Sequence, residues 1–509
     1  MAYFLGIDVG TSGTKTLLMD VRGKVLAAAN GEHTVSTPHP AWSEQDPQQW
    51  WSATVKAVKA VIAKAGIDGR QIAGVGLSGQ MHGLVLLGGD DKPLRPAIIW
   101  NDQRTAGEAA EIEKKAGGKA ALIKMVGNVA MTSFTLTKLL WVRKHEPKVY
   151  ERVRHMLLPK DYVRLRLTGE YAGDVSDMSG TLMLDQRKRD WSDQCLSLFG
   201  IDRSILPPVY ESHEVTGKVT AEVARQLGLA VGTPVVGGAG DQPAGAVGNG
   251  IVTEGLVSAT LGTSGVVFTH SKKYVTDPAG RVQTFCSAVA GEYCMFGCIL
   301  AAGGSLQWFR NALGQHEVEQ AAKAKIDPYE LLTREAAKAP VGCEGLFFLP
   351  YLTGERTPYA DPYARGCWIG MTARTSRREL VRSVMEGATF AMNDALTIFG
   401  QRGVRPRQVR LSGGGARSAF WRQLQADIYG TTCGTVRTEE GPAYGVAILA
   451  AVGAGAYKSV PEACSAIVKV TRQIKPDAKA KSAYQKFYKQ YTRLYPALKG
   501  EFAAMRDWA

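Results

Sequence analysis

Cysteine is scarce in this chain, with 8 in 509 residues and no CxxC unit facing a second at metal-finger spacing. That excludes a disulfide scaffold and a structural zinc module. The close pair Cys294 and Cys298 reads as buried thiols. Long hydrophobic runs are missing as well. The apolar stretch around residues 444–457 ends well short of what is needed to cross about 30 Å of hydrocarbon as a helix. The opening MAYFLGIDVG has no basic segment before an apolar core, so it does not read as a secretory signal. No GxxxxGK[ST] loop occurs and no GxGxxG follows a strand, which leaves P-loop nucleotidases and dinucleotide-binding Rossmann domains unsupported. These absences predict reduced thiols, no membrane segment and a cytoplasmic location.

Acidic residues are outnumbered, 47 Asp/Glu against 61 Lys/Arg, for a net charge of +14. Half of that excess lies in residues 458–509, which hold 11 Lys/Arg and 4 Asp/Glu. In that segment Tyr484, Phe487, Tyr488, Tyr491 and Leu494 recur at helical spacing. The pattern predicts a basic peripheral helix with one docked face. No nucleic-acid-binding motif accompanies the charge, so nucleic acid is not expected as a partner.

What is abundant is glycine, 57 residues, set between short apolar segments and amphipathic ones. Strands alternating with helices predict an α/β fold. Residues 3–7 form a strand closing on Asp8; the turn Gly10, Thr11, Ser12, Gly13 follows, and then a second strand over 16–19. Asp46-Pro47 opens a helix that Gly66 stops, and further helices are predicted over 378–399 and 420–429. The tetrapeptide GTSG between two apolar strands occurs again at Gly262 and Thr263. One such loop in each half predicts two domains of one plan facing a shared cleft. The expected domains are residues 1–250 and 251–457, followed by the basic helical extension 458–509 packed on the second.

Four segments carry candidate chemistry. A Gly/Thr/Ser turn offers backbone N–H groups and hydroxyls to phosphate oxygens, or is a plain hairpin. Gly413, Gly414 and Gly415, between a strand and a helix, let a flat group approach the backbone or simply make a tight turn. Asp241 follows an apolar strand in PVVGGAGDQPAG, either facing a ligand crevice or capping the helix that begins there. With Asp8 it supplies two strand-end carboxylates, a set suited to Mg²⁺-assisted phosphoryl transfer to a hydroxyl.

With these segments in view, the chain resembles the FGGY family of carbohydrate kinases over essentially its whole length. The resemblance rests on GIDVGTSGTK, WSEQDPQQWW, GLSGQMHG, IIWND, FTLTKLLWVRKHEP, LLPKDYVRLRLTGE, GGAGDQPAGAVG, FLPYLTGERTP and LSGGGARS. Residues 133–145 match the family's N-terminal signature, and 366–386 are compatible with the C-terminal one. The resemblance implies two ribonuclease-H-like domains of the actin and hexokinase type, a sugar-binding first half and a nucleotide-binding second half. It implies Asp241 as the general base and Asp8 at the Mg·ATP phosphates, both near Mg²⁺ through water. Met81, His82 and Gln242 would touch the sugar. Thr11, Lys15, Gly262, Thr263, Gly303, Gln307, Gly414 and Gly415 would line the ATP site. Two positions depart from the pattern, because Gln242 and Ala419 stand where family members carry Asn. The Arg-Glu pair of glycerol-phosphorylating members is absent, which argues against glycerol. The implied activity is ATP-dependent phosphorylation of a ketopentose, D-xylulose first and ribulose or another polyol as the alternative. The expected partners are a sugar and ATP, with a homodimer left open. An actin-like assembly protein would share the fold, but it has no use for a sugar pocket with a base.

Overall fold

The structure, a computed structural model, describes residues 2–438 and 440–506. Strands β1 (Tyr3–Val9), β2 (Gly13–Asp20) and β3 (Val25–Glu32) form an antiparallel meander. Helix α1 (Pro47–Ala65) then returns the chain so that β4 (Ile72–Gly79) lies parallel to β1. The Asp46 side chain accepts from the Gln48 N–H at the start of α1, with Pro47 in the first turn, and Gly66 closes the helix at φ 64°. A long insertion follows, carrying α2 (Thr135–His145). The sheet is completed by β5 (Val215–Lys218), β6 (Pro234–Val236) and a short strand over Ala239–Gly240 that pairs with the end of β4, and α3 (Asp241–Gly248) follows directly from that strand.

The second half repeats the scheme with β7 (Leu256–Leu261), β8 (Gly265–Ser271), β9 (Gln283–Cys286) and β10 (Tyr293–Ile299). Then come α4 (Gly303–Leu313), α5 (Arg377–Gln401), β11 (Gln408–Ser412), α6 (Ala419–Tyr429), β12 (Cys433–Val436), α7 (Gly441–Gly453) and β13 (Val470–Ile474). The first sheet runs β5-β6-β4-β1-β2-β3, and the second β9-β10-β8-β7-β11-β12-β13. Laid side by side, β3-β2-β1-β4-β6 matches β10-β8-β7-β11-β12. Each sheet also ends in an antiparallel strand, β5 or β13. The repeated GTSG thus marks a repeated sheet, and each copy is the turn of a hairpin, β1–β2 or β7–β8.

Helix α7 comes late in the chain but lies against the first sheet. There the strands carry glycine: a Cβ on Gly6 would stand 1.9 Å from Ala443 O, and one on Gly76 2.0 Å from Val446 O. The bare backbone makes a groove into which the helix sinks. The halves meet elsewhere too. Asn128 of the insertion donates to Thr284 O on β9 (2.8 Å) and accepts from its N–H (3.0 Å).

The basic tail opens with a helix over Val460–Ile467 and the strand β13, and ends in two helices, α8 (Ala478–Tyr491) and α9 (Leu494–Ala504). The single periodic stretch read from sequence breaks before Leu494. Pro496 has no N–H to give a helix interior, so the chain restarts with that proline in the first turn. Tyr484 and Tyr491 are buried against the second half, where the Tyr484 hydroxyl donates to Glu386 at 2.7 Å. Residues 507–509 lie outside the described residues.

Candidate active site

Asp8 sits near the carboxyl end of β1, where Ser78 of the parallel neighbour β4 donates to its Oδ1 at 2.6 Å. Burial pushes its pKa above the usual carboxylate range, while the Ser78 hydrogen bond and the Lys15 charge pull the other way. The adjoining turn is braced from below. Trp100 Nε1 donates to Thr11 Oγ1 at 2.9 Å, and Gln45 Nε2 to Thr11 O at 2.7 Å. Lys15, on the returning strand, pairs with Glu440 at 2.6 Å and so ties the first hairpin to the start of α7.

Asp241 faces Asp8. Its pKa is raised to about 7, first by burial of the carboxyl group and then by the like charge of Asp8. Gln242 Nε2 donates to its Oδ1 at 3.3 Å and pulls weakly the other way. The helix cap is Gly240, not Asp241, which stands as the first helical residue with its carboxylate free of capping. The approach to it is fixed from behind. The Gly240 N–H donates to Ser176 Oγ (3.3 Å), and the Ser176 hydroxyl to Asp174 Oδ2 (2.6 Å). Asp174 in turn pairs with the fully buried Lys160 at 2.9 Å.

Met81 and His82 lie beside this pair, and Met81 packs where a Cβ on Gly240 would stand. His82 is a non-glycine residue at φ 70°, a left-handed conformation that costs about 1–3 kcal/mol and needs support from its surroundings. Support comes from α2. Lys138 Nζ and Thr135 Oγ1 each donate to His82 O at 3.2 Å. Lys138 is fully buried, and its other protons go to the Ser133 and Phe134 carbonyls. Burial lowers its pKa to about 7. The His82 ring is held neutral, its pKa lowered to about 3 by burial and by the Lys138 charge. Its Nδ1 lies 3.0 Å from Gly180 O, which can only accept. Nδ1 therefore carries the proton, and Nε2 is left as an acceptor for a ligand hydroxyl.

On the other side, three glycine segments converge. Gly303 N–H donates to Gly262 O (2.8 Å) and Gly304 N–H to Thr263 O (2.9 Å), joining the second GTSG turn to the start of α4. A Cβ on Gly413 would stand 2.7 Å from Leu261 O, and one on Gly415 2.8 Å from the Leu261 side chain. Gly414 and Ala419 remain exposed at the same edge, and Gln307 is exposed one turn into α4. The residues singled out from sequence thus form two groups, one around Asp8 and Asp241 and one around the glycine segments at Gly262, Gly303 and Gly413.

The family model for the N-terminal domain of FGGY carbohydrate kinases matches residues 3–248, and that for the C-terminal domain matches 257–454. The chain belongs to the FGGY family of carbohydrate kinases. The kinase is 41% identical to the xylulose kinase of Escherichia coli (strain K12) over 497 residues, covering 97% of this chain and 99% of that one. It is 42% identical to the Klebsiella pneumoniae xylulose kinase, covering 88% and 89%. A crystal structure of a xyloylose kinase from Brucella ovis superposes with a TM-score of 0.91 at 38% identity, covering 98% of this chain and 99% of that one. The enzyme is therefore a phosphotransferase acting on a carbohydrate with ATP as donor.

Sequence reasoning left several supports of this kinase site unassigned. Ser78, Trp100 and Lys138 lie inside motifs that carried the resemblance, yet no local pattern shows a serine reaching the next strand. Nor does any show a lysine folding back on a carbonyl 56 residues earlier.

Proposed function

We propose that the kinase transfers the terminal phosphoryl group of ATP to D-xylulose, giving D-xylulose 5-phosphate. The observation carrying this reading is the pair Asp8–Asp241 beside Met81 and His82, opposite the converging glycine loops. His82 Nε2 accepts from one sugar hydroxyl and fixes the ring of contacts. Asp241 takes the proton of the attacking hydroxyl, and its raised pKa matches a base working near neutrality. The turns at Thr11 and at Gly262–Thr263 cradle phosphate oxygens, with Lys15, Gly303 and Gln307 around them. Gly414 and Gly415 give the adenosine its flat approach, without a side-chain amide at Ala419. The division of labour is residues 1–250 for the sugar and 251–457 for the nucleotide; α8 and α9 buttress the second half, while the helix over Val460–Ile467 packs on Phe4, Leu17 and Met19 of the first, against the expectation that the whole extension lies on the second.

The donor set also fits Mg²⁺. Two carboxylates suit a hard cation that keeps water and takes the rest of its shell from phosphates. When bound, the cation would screen the phosphate charges. Eight free cysteines agree with a reducing, cytoplasmic setting. The similarity to xylulose kinases supports the sugar assignment. A coupled ADP-release assay over D-xylulose, D-ribulose, L-ribulose, glycerol and gluconate tests it, with the highest kcat/KM expected for D-xylulose. A higher value for any other sugar ends the substrate claim, and no turnover with any of them ends the kinase reading of this cleft.

A further inference from the structure

Arg356 belongs to the second half, yet it faces the sugar residues of the first. Its backbone is clamped along the end of β10. Thr357 N–H donates to Cys298 O (3.0 Å) and Cys298 N–H to Thr357 Oγ1 (3.1 Å). One residue earlier, Glu355 Oε1 accepts from the Leu300 N–H (3.1 Å) and from Arg356's own N–H (2.7 Å). The segment cannot slide, so the side chain leaves from a fixed point. The wall it meets is built from both halves. The His82 ring stands edge-on to Phe285 of β9 with centroids 6.0 Å apart, and Phe285 packs on Phe296 of β10 at 4.9 Å. The guanidinium rests against Cys298, and its charge bears on His82 and Lys138. The Asp241 carboxyl is governed by its own burial, then by Asp8 and Gln242. Among the described residues Arg356 forms no ion pair; Glu355 Oε1 is taken by backbone N–H groups, and its Oε2 is buried without a hydrogen-bond partner.

This leaves a division of hydrogen-bonding roles. His82 offers an acceptor, and the protons of Lys138 are taken by three carbonyls. The Gln242 amide is turned to Asp241. A ketose carbonyl oxygen can only accept, so it needs a donor, and Arg356, whose guanidinium gives a hydrogen bond to Cys298, has further N–H groups to offer at that wall. We propose that Arg356 is a sugar-binding residue contributed by the nucleotide half, donating to the carbonyl end of the ketose and setting the preference for ketose over polyol. The inference rests on the ketopentose reading above and deepens it. Because the donor arrives from the second half, the carbonyl of the sugar also bridges the two walls of the cleft.

The experiment compares wild type with Arg356→Gln and Arg356→Lys, using D-xylulose and xylitol, in which a hydroxyl replaces the carbonyl. Loss of a charged donor should raise KM for D-xylulose about tenfold or more and lower the D-xylulose/xylitol ratio of kcat/KM by a similar factor. KM for ATP should stay within about twofold. Arg356→Lys keeps the charge and the stem packing, and serves where Arg356→Gln folds poorly. It should show the same loss of preference, because a point-like ammonium does not reproduce the guanidinium fork. A preference unchanged in both variants, or a KM for ATP that rises as much as that for the sugar, overturns the assignment. In either case a wild type active on D-xylulose leaves the proposed function standing. A wild type that phosphorylates no ketose overturns both.

Discussion

At the scale of single residues, Asp241 combines a functional gain with a structural cost. It is a half-buried carboxylate raised in pKa by its surroundings and by the nearby Asp8. Asp241→Asn keeps the shape but cannot take a proton, so kcat should fall by ~10²–10⁴. Sugar affinity measured by calorimetry should change little. The same substitution removes a buried like-charge contact, so the thermal midpoint should hold or rise. More than a tenth of the wild-type kcat in the variant would place the base elsewhere. Lys138 is the complementary case, acting only through His82. Replacing it with Met fills the space but removes one of the two buried donors to His82 O, leaving Thr135 Oγ1, and loosens the hold on a strained backbone. KM for the sugar should rise by about tenfold while KM for ATP stays put, since one lost charged hydrogen bond is worth ~1.5–3 kcal/mol. Equal rises in both constants would indicate general loosening of the fold.

Among the elements, α7 shows how strongly packing can reverse a propensity. Gly→Ala inside an exposed helix normally stabilises by about 1 kcal/mol. At Gly445 the added Cβ would stand 1.8 Å from the Ala244 carbonyl oxygen on α3, a backbone atom that cannot step aside. Gly445→Ala should therefore destabilise, by about 1–3 kcal/mol as overpacked sites do. The urea midpoint measures this, and a stabilised variant would mean that α3 and α7 can part without cost. The same close approach explains why a late segment of the chain is built into the first sheet. Gly6 and Gly76 leave no side chains to hold it off.

For the molecule as a whole, the second half carries a buried carboxyl with no cation paired to it among the described residues. Asp394, on α5, accepts from the Tyr488 hydroxyl of the tail at 2.6 Å, and burial raises its pKa to about 7. A folded-state pKa above the unfolded one means that the folded protein holds this proton where the unfolded chain has released it. The contribution of Asp394 is thus fully present below the ordinary carboxylate value near 3.8 and is lost as pH rises toward about 7. The slope is at most about 1.4 kcal/mol per pH unit for one proton. Asp394→Asn should flatten the fall in urea midpoint between pH 4.5 and pH 7 (roughly the window this linkage covers). A pH profile that matches wild type would show that Asp394 ionises alike in both states.

The sequence by itself determined what depends on near neighbours. The α1 cap at Asp46 and its stop at Gly66, the two GTSG hairpins, and the repeat that proved to be a repeated sheet all rest on contacts a few residues apart. Local turn chemistry and periodicity encode such contacts directly. The candidate site residues stood out because most of them sit at strand ends and glycine turns, where α/β sheets present their ligand groups. The break before Leu494 was also written in the chain, in Pro496, but the periodic aromatics concealed it. Only the tertiary structure decided that Asp8 faces Asp241, that Lys138 holds His82 in place, and that Arg356 crosses from the second half. Those relations join residues tens to hundreds of positions apart. They depend on strand order, on glycines that admit α7, and on a wall shared by Phe285 and His82. A charge or a donor acquires its role from what surrounds it, and the surroundings are made by the fold.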